Sequence, residues 1–276
     1  MRSAVFREYL KLKTMIGLIA GNGNFPLIFI KQAKKSGESV TAIALFDETD
    51  KSIEQLADKT YWISVGQLSK LIDILKKENI RKCVMAGQVK HTKLFSVKPD
   101  LRAIALLAKL KSKTADAILS AICDEFQKEG IDFIPSNTYL SRFMPRPGVL
   151  TKIKPDKAQK SDIEFGYELA KNVAGLDIGQ TVCVKDKSIV AVEAMEGTDR
   201  CIKRAGEVTK NFTVVKVARP RQDMRFDIPV IGIKTVETLK EAGAAVLAVE
   251  SEKTLLLEMD EVIKSADENG ISIVAV

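Results

Sequence analysis

MIGLIAGNGNFP, residues Met15–Pro26, decides how this chain is read. Met15–Ala20 is an uncharged apolar run that stops at Gly21-Asn22-Gly23. A helical pattern from Leu27 to Ser36 follows and is closed by Gly37. An apolar run of this length, ended by glycines and followed by helical periodicity, opens a strand–turn–helix unit. Glycines at that turn let backbone N–H groups approach a phosphate at the helix N-terminus. Pro26 stands where a full dinucleotide fingerprint has its third glycine or alanine. The turn is therefore either a phosphate loop or a plain tight turn.

The same unit recurs downstream. Ser39–Leu45 reads as a second strand ending at Phe46-Asp47, where Asp47 is placed to bind a ribose hydroxyl. Tyr61–Val65 reads as a third strand, and Gln67–Asn79 as an amphipathic helix with Leu68, Leu71, Ile72 and Leu75 on one stripe. Cys83–Ala86 is a fourth strand ending at Gly87-Gln88-Val89-Lys90. Strands alternating with helices predict a Rossmann-like parallel α/β domain over residues 15–136. In such sheets ligands collect outside the carboxyl ends of the strands, so Gly23 and Gly87 are candidates for one crevice.

Two helical stretches, Pro99–Lys111 and Thr114–Glu129, complete this half. Four of the eight prolines (Pro135, Pro145, Pro147, Pro155) then fall close together. That clustering predicts a Pro-rich linker over 137–155. Residues 156–276 begin with a helix and continue with a hairpin turning at Asp186-Lys187. Strands and helices then mix, which predicts a C-terminal mixed α/β domain. Residues 1–14 form a basic extension, either an upstream start or a short docked helix, without the apolar core or cleavage site of a signal peptide.

Composition narrows the function classes. The 276 residues suit two domains, and 46% hydrophobic with 29% charged residues supports a real core rather than disorder. A formal charge of +7 favours an anionic partner: a nucleotide, an acidic lipid surface or nucleic acid. The four cysteines are widely spaced without a C-x-x-C, as expected of buried reduced thiols. No apolar run reaches the ~18 residues of a membrane span. His91 is the one histidine, which excludes a histidine-rich zinc site and leaves a histidine-based triad unsupported.

Chemistry concentrates in the second half. RPRQDMRFDIPVIG, Arg219–Gly232, places Asp227 between a polar loop and the apolar run Val230–Ile233. A carboxylate at a strand mouth can hold a metal, take a proton or bind a hydroxyl; it can equally pair with Arg219, Arg221 or Arg225. Glu193, Glu196 and Asp199, in the run Glu193–Asp199, join Asp227 as hard oxygen donors suited to Mg²⁺. Thr198 or Asp199 can also serve as an ordinary helix cap. The basic apolar stretch Leu101–Lys113 is either a packed helix or one that rests on an anionic membrane.

Several motifs in one order resemble a known family. IGLIAGNGNFP (Ile16–Pro26), AGQV (Ala86–Val89), DIGQ (Asp177–Gln180), VEAMEGTD (Val192–Asp199) and RFDIPVIG (Arg225–Gly232) are similar to the I-type UDP-2,3-diacylglucosamine pyrophosphatases of lipid A biosynthesis. The resemblance covers Met15–Val276. It implies Mg²⁺-dependent hydrolysis of UDP-2,3-diacylglucosamine to lipid X and UMP by water attack on the α-phosphorus. It further implies that the lipid product is held between two domains.

By the same matching, Asp227 is the catalytic aspartate, as metal ligand or general base. Gly23, Gly87, Gln88, Gln180 and Thr198 are substrate contacts. Arg225 and the carboxylates Asp227, Glu193, Glu196 and Asp199 are then available for the diphosphate and its Mg²⁺. Asn22 departs from the family's triple glycine. The expected setting is cytoplasmic, with peripheral contact at the inner membrane face and no nucleic acid partner; a homodimer stays open. The competing expectation is a non-catalytic sensor that binds a nucleotide or lipid nucleotide.

Overall fold

A computed structural model of the chain describes residues 14–89, 99–112 and 114–276. His91, Lys90 and residues 1–13 lie outside the described residues. The chain divides into two compact units between Tyr139 and Leu140.

The first unit is built on strands β1 (Met15–Ala20), β2 (Ser39–Leu45), β3 (Lys59–Ile63), β4 (Lys82–Ala86) and β5 (Asp132–Phe133). They form one sheet in the order β3-β2-β1-β4-β5, with every pairing parallel. This is the Rossmann-like arrangement expected from the strand–helix alternation. β1 and β2 are buried nearly throughout, as strands covered on both faces must be. Helix α1 (Phe25–Lys35) buries Ile28, Phe29, Ile30 and Ala33. Ile53–Leu56 (α2) is a single turn. Helix α3 (Leu68–Lys77) buries the expected stripe and Ile74 as well. Helices α4 (Leu101–Ala108) and α5 (Ala115–Lys128) are capped by the side chains of Asp100 and Thr114.

The second unit carries a six-stranded mixed sheet. Its strands are β6 (Gly148–Val149), β7 (Thr181–Lys185), β8 (Ser188–Val192), β9 (Phe212–Lys216), β11 (Ala244–Val249) and β13 (Ser272–Ala275), in the order β6-β13-β11-β9-β7-β8. β9, β11 and β13 run parallel; β6 and the β7–β8 hairpin supply the antiparallel edges. Helix α6 (Lys157–Gly175), opened by a capping box between Asp156 and Gln159, covers one face through Ile163, Ala170 and Val173. Helices α7 (Thr198–Val208), α8 (Ile233–Ala242) and α9 (Met259–Glu268) cover the other, where Ile202, Val236, Leu239 and Val262 meet Val214, Leu247 and Ile273.

Local chemistry explains the connections. The hairpin turns through Asp186 and Lys187, both left-handed (φ 49° and 57°), as a tight primed turn requires. The buried Asp162 carboxylate accepts from both their N–H groups, at 3.1 and 2.7 Å.

Two expectations change. The run from Val230 yields only a two-residue strand, β10 (Val230–Ile231), because Gly232 already N-caps α8. β10 pairs parallel with β12 (Leu255–Leu256). The stretch 137–155 also contains structure: β6 pairs with β13, and Leu150 N–H donates to the Ile273 carbonyl at 2.9 Å.

Candidate functional site

In the first unit, the turns after β1 and β4 are joined by their backbones. Asn22 N–H donates to Gln88 O at 2.7 Å, Gln88 N–H to Asn22 O at 3.2 Å, and Gly21 N–H to Ala86 O at 2.8 Å. The approach is too close for side chains. A Cβ on Gly21 would meet Gln88 O at 2.5 Å, and one on Gly87, at φ 90°, would meet Asn22 O at 2.6 Å. Gly23, Gly87 and Gln88 therefore belong to one place at the carboxyl ends of neighbouring strands, where open α/β sheets bind ligands. The glycine at 23 (φ 90°) faces open space. Asp47 is exposed and left-handed at φ 63°.

The second unit gathers its candidates at one sheet edge. β8 and β9 both run antiparallel to β7, so the residues after β8, at the end of β9 and before β7 share that edge. Period-2 alternation puts Thr181, Glu193 and Lys216 on the face of α7. Lys216 is 7% exposed, and its ammonium donates to Thr198 Oγ1 at 2.7 Å. Thr198 Oγ1 donates to Glu193 Oε1 at 2.9 Å, and the other Glu193 oxygen accepts from Gln180 N–H at 3.3 Å. The DIGQ turn is tightly seated, since a Cβ on Gly179 would lie 2.0 Å from Glu193 O. A buried ammonium next to the first turn of α7 makes this spot electropositive, with Glu193 as the offsetting carboxylate.

Just beyond β9 the chain reaches Arg219 and the Asp227 loop. Arg219 Nη1 lies 3.3 Å from Asp227 Oδ2, and its Nη2 lies 3.2 Å from Asp177 Oδ1. Gln222 Nε2 donates to Asp227 O at 2.8 Å, and Asp227 N–H donates to Asp223 O at 2.9 Å. Asp227 keeps 30% of its side chain exposed, so it remains open to a ligand. Glu250, buried at the end of β11, accepts from Ala218 N–H at 2.8 Å and from Lys171 and Lys253, and so anchors the start of this loop.

The expected site residues are thus partly assembled. Gln180 and Thr198 each bond Glu193, and Asp227 reaches back to the DIGQ turn through Arg219. Arg225 turns to Asp223, onto which its Nε and Nη2 fork at 3.0 and 2.7 Å. The four carboxylates are not brought together as a cage. Glu196 pairs with Arg204 at 2.6 Å and Asp199 lies 3.8 Å from Lys234, while Glu193 is held by Thr198. Among the described residues no group of three or more His, Cys, Asp or Glu is placed to hold a metal ion. Asp227 alone, partly exposed, fits a Mg²⁺ that arrives with phosphate oxygens, the mode in which this ion uses one or two carboxylates.

Sequence reasoning missed Lys216 and Glu250. The signal for Lys216 was present: in FTVVKVA it occupies an inward position of an otherwise apolar strand. Glu250 closes the run AAVLAVE in the same manner.

Known proteins resemble this chain along most of its length. The model of the LpxI N-terminal domain matches residues 15–143, and that of the LpxI C-terminal domain matches residues 146–274. The UDP-2,3-diacylglucosamine pyrophosphatase LpxI of Caulobacter vibrioides is 28% identical, over 95% of this chain and 97% of its own. Among solved structures, a biotin carboxylase domain of a thermophilic 2-oxoglutarate carboxylase is similar at 15% identity and TM-score 0.27, over 61% of this chain and 34% of that one. Glycinamide-RNase-transformylase T from Mycobacterium tuberculosis is similar at 10% identity and TM-score 0.26, over 66% and 44%. Likeness at that level carries no functional argument.

Proposed function

The chain belongs to the LpxI family, and on that basis we propose that it is a diphosphatase that hydrolyses UDP-2,3-diacylglucosamine to lipid X and UMP in lipid A biosynthesis. The observation that carries this is the ordered pair of family domains over 15–143 and 146–274. The motif residues Gln180 and Thr198 touch Glu193 at a single sheet edge, and Asp227 is tied to the DIGQ turn there.

In this reading Asp227 acts on the diphosphate, as metal ligand or general base. Arg219 holds its carboxylate, and Lys216 offers a buried cation to a phosphate oxygen. Asp227 would hold a Mg²⁺ in this reading, and the ion would supply charge neutralisation and polarisation of the attacked phosphate. Attack at the α-phosphorus, the course implied by the resemblance, puts solvent ¹⁸O into UMP. Label in lipid X instead reassigns attack to the β-phosphorus.

The substrate's acyl chains hold it in a bilayer. No described helix is long and apolar enough to cross a membrane. Contact is proposed to be peripheral, at the inner face of the cytoplasmic membrane. Leu101 (85% exposed) and Ile104 (49% exposed) on α4, followed by the exposed Lys109 and Lys111, suit an anionic lipid surface.

The test is release of UMP from the lipid nucleotide with Mg²⁺ and its loss with excess EDTA. A protein that binds the lipid nucleotide without releasing UMP is the sensor, and the hydrolase reading falls.

A further inference from the structure

Glu48 is the anomaly of the first unit. It is 4% exposed, and neither carboxylate oxygen has a hydrogen-bond partner among the described residues. Buried polar groups are nearly always hydrogen-bonded, so such a group calls for a partner that arrives from outside.

Its position says what kind. Glu48 lies in the turn after β2, and that turn is fastened to β1: Thr49 Oγ1 donates to Ala20 O and accepts from Leu45 N–H at 2.9 Å. Ala20 is the last residue of β1, immediately before Gly21. Glu48 therefore stands one residue from the contact that joins the ends of β2 and β1, beside the glycine turn that leads into α1. The first turn of α1 has no acidic residue and no side-chain cap. Its N–H groups are thus left to a phosphate or to water. In parallel sheets, phosphate at the helix after the first strand and an acid at the end of the second are the two ends of a nucleotide site.

We propose that Glu48 receives the vicinal diol of a nucleotide ribose at the carboxyl edge of the first sheet. The adjacent 2′- and 3′-hydroxyls supply two O–H donors to the two orphaned oxygens. The acid expected in this role from the sequence, Asp47, is exposed beside it. The proposal rests on the nucleotide-substrate reading above and assigns the uridine half to the first unit's own sheet edge.

The test is calorimetric binding of UDP and 2′-deoxy-UDP to the full chain, as wild type and as Glu48→Gln, with Glu48→Asp as a second variant. The wild type is expected to bind UDP about 10-fold more tightly than 2′-deoxy-UDP, the scale of a hydrogen bond to a charged group. Glu48→Gln should weaken UDP and bind the two ligands alike. Its Tm should hold or rise, since no protein partner is lost. Glu48→Asp, with a shorter reach, should fall between. An unchanged preference for UDP in Glu48→Gln overturns the proposal, as does a lower Tm with that preference intact. Failure of the wild type to bind UDP at millimolar concentration also overturns it, whether or not UMP is released from the lipid nucleotide. Ribose discrimination without UMP release would keep the Glu48 site and remove the hydrolase reading.

Discussion

Arg219 and Asp227 form an ion pair, Nη1 to Oδ2 at 3.3 Å, and the same guanidinium reaches Asp177 of the DIGQ turn. Both side chains of the pair are about one quarter to one third exposed, so the pair itself contributes only about 0–1 kcal/mol to stability. Its value lies in orientation: it ties a loop carboxylate to a turn that packs against Glu193.

Asp227→Ala is therefore expected to leave Tm nearly unchanged while lowering kcat by about 100-fold or more, the range of a lost catalytic acid–base or charge-stabilising group. Steady-state UMP release and a thermal melt check both parts. A kcat within a few-fold of wild type would make Asp227 a mere partner of Arg219.

Lys216→Met removes the buried ammonium but keeps most of the volume. The Thr198–Glu193 hydrogen bond does not need Lys216, so folding should survive. Turnover per encounter, kcat/KM, should fall by about 10- to 100-fold if the ammonium meets a phosphate oxygen. Unchanged kcat/KM with altered Tm would assign Lys216 to the core alone.

Gly87→Ala should destabilise the first unit. It forces a Cβ onto a φ of 90° and to 2.6 Å from Asn22 O. Strain of that kind costs about 1–3 kcal/mol. The check is a denaturant melt of Gly87→Ala beside Gly23→Ala. The latter carries the strain of positive φ without the clash and should lose less.

Glu250 sets a pH dependence. Burial alone would raise its pKa, but hydrogen bonds from Lys253, Lys171 and Ala218 N–H outweigh burial and hold the carboxyl below its ordinary value. A folded pKa below the unfolded one means stability that is complete above the usual glutamate range, near ~4.3, and is lost as pH falls through the lowered value. Glu250→Gln should cost about 1 kcal/mol at neutral pH, because Lys171 and Lys253, 25% and 53% exposed, lose a charged acceptor that solvent partly replaces. It should also flatten the acid side of a Tm–pH curve; an unaltered acid side would place the titration elsewhere.

Substituting Leu101 and Ile104 by serine should reduce sedimentation with anionic vesicles and leave UMP release from detergent-dispersed substrate intact. Equal vesicle binding by the variant would move the membrane contact off α4.

The first sheet was legible because parallel strands leave long apolar runs between glycine turns, as in Met15–Ala20 and Cys83–Ala86. The Asp186-Lys187 turn was legible for a similar reason, since flanking strands bracket it closely. Leu255–Leu257 was not, because two-residue strands have no period and their partner, Val230–Ile231, is chosen by tertiary packing. At the site, the motif order pointed to Gln180, Thr198 and Asp227. Pairing among charges was hidden: nothing in RPRQDMRFD shows that Arg225 turns to Asp223 and Arg219 to Asp227. Glu48 was passed over because burial of a charge in a turn is a three-dimensional property, whereas Lys216 was visible in the period of its strand.

The backbone join between the β1 and β4 turns also sets which positions are able to drift. Asn22 takes part through its N–H and carbonyl only, and its φ is not positive, unlike that of Gly23. The amide side chain adds nothing to that join, so the middle residue of the turn is replaceable. Gly21 and Gly87 are not, since each has the other strand's backbone where a side chain would begin. A saturation library across 21–23 and 87 should thus return many residues at 22 and glycine alone at 21 and 87. Asn22 thus sits at the one tolerant position of a turn whose frame Gly21 and Gly87 close.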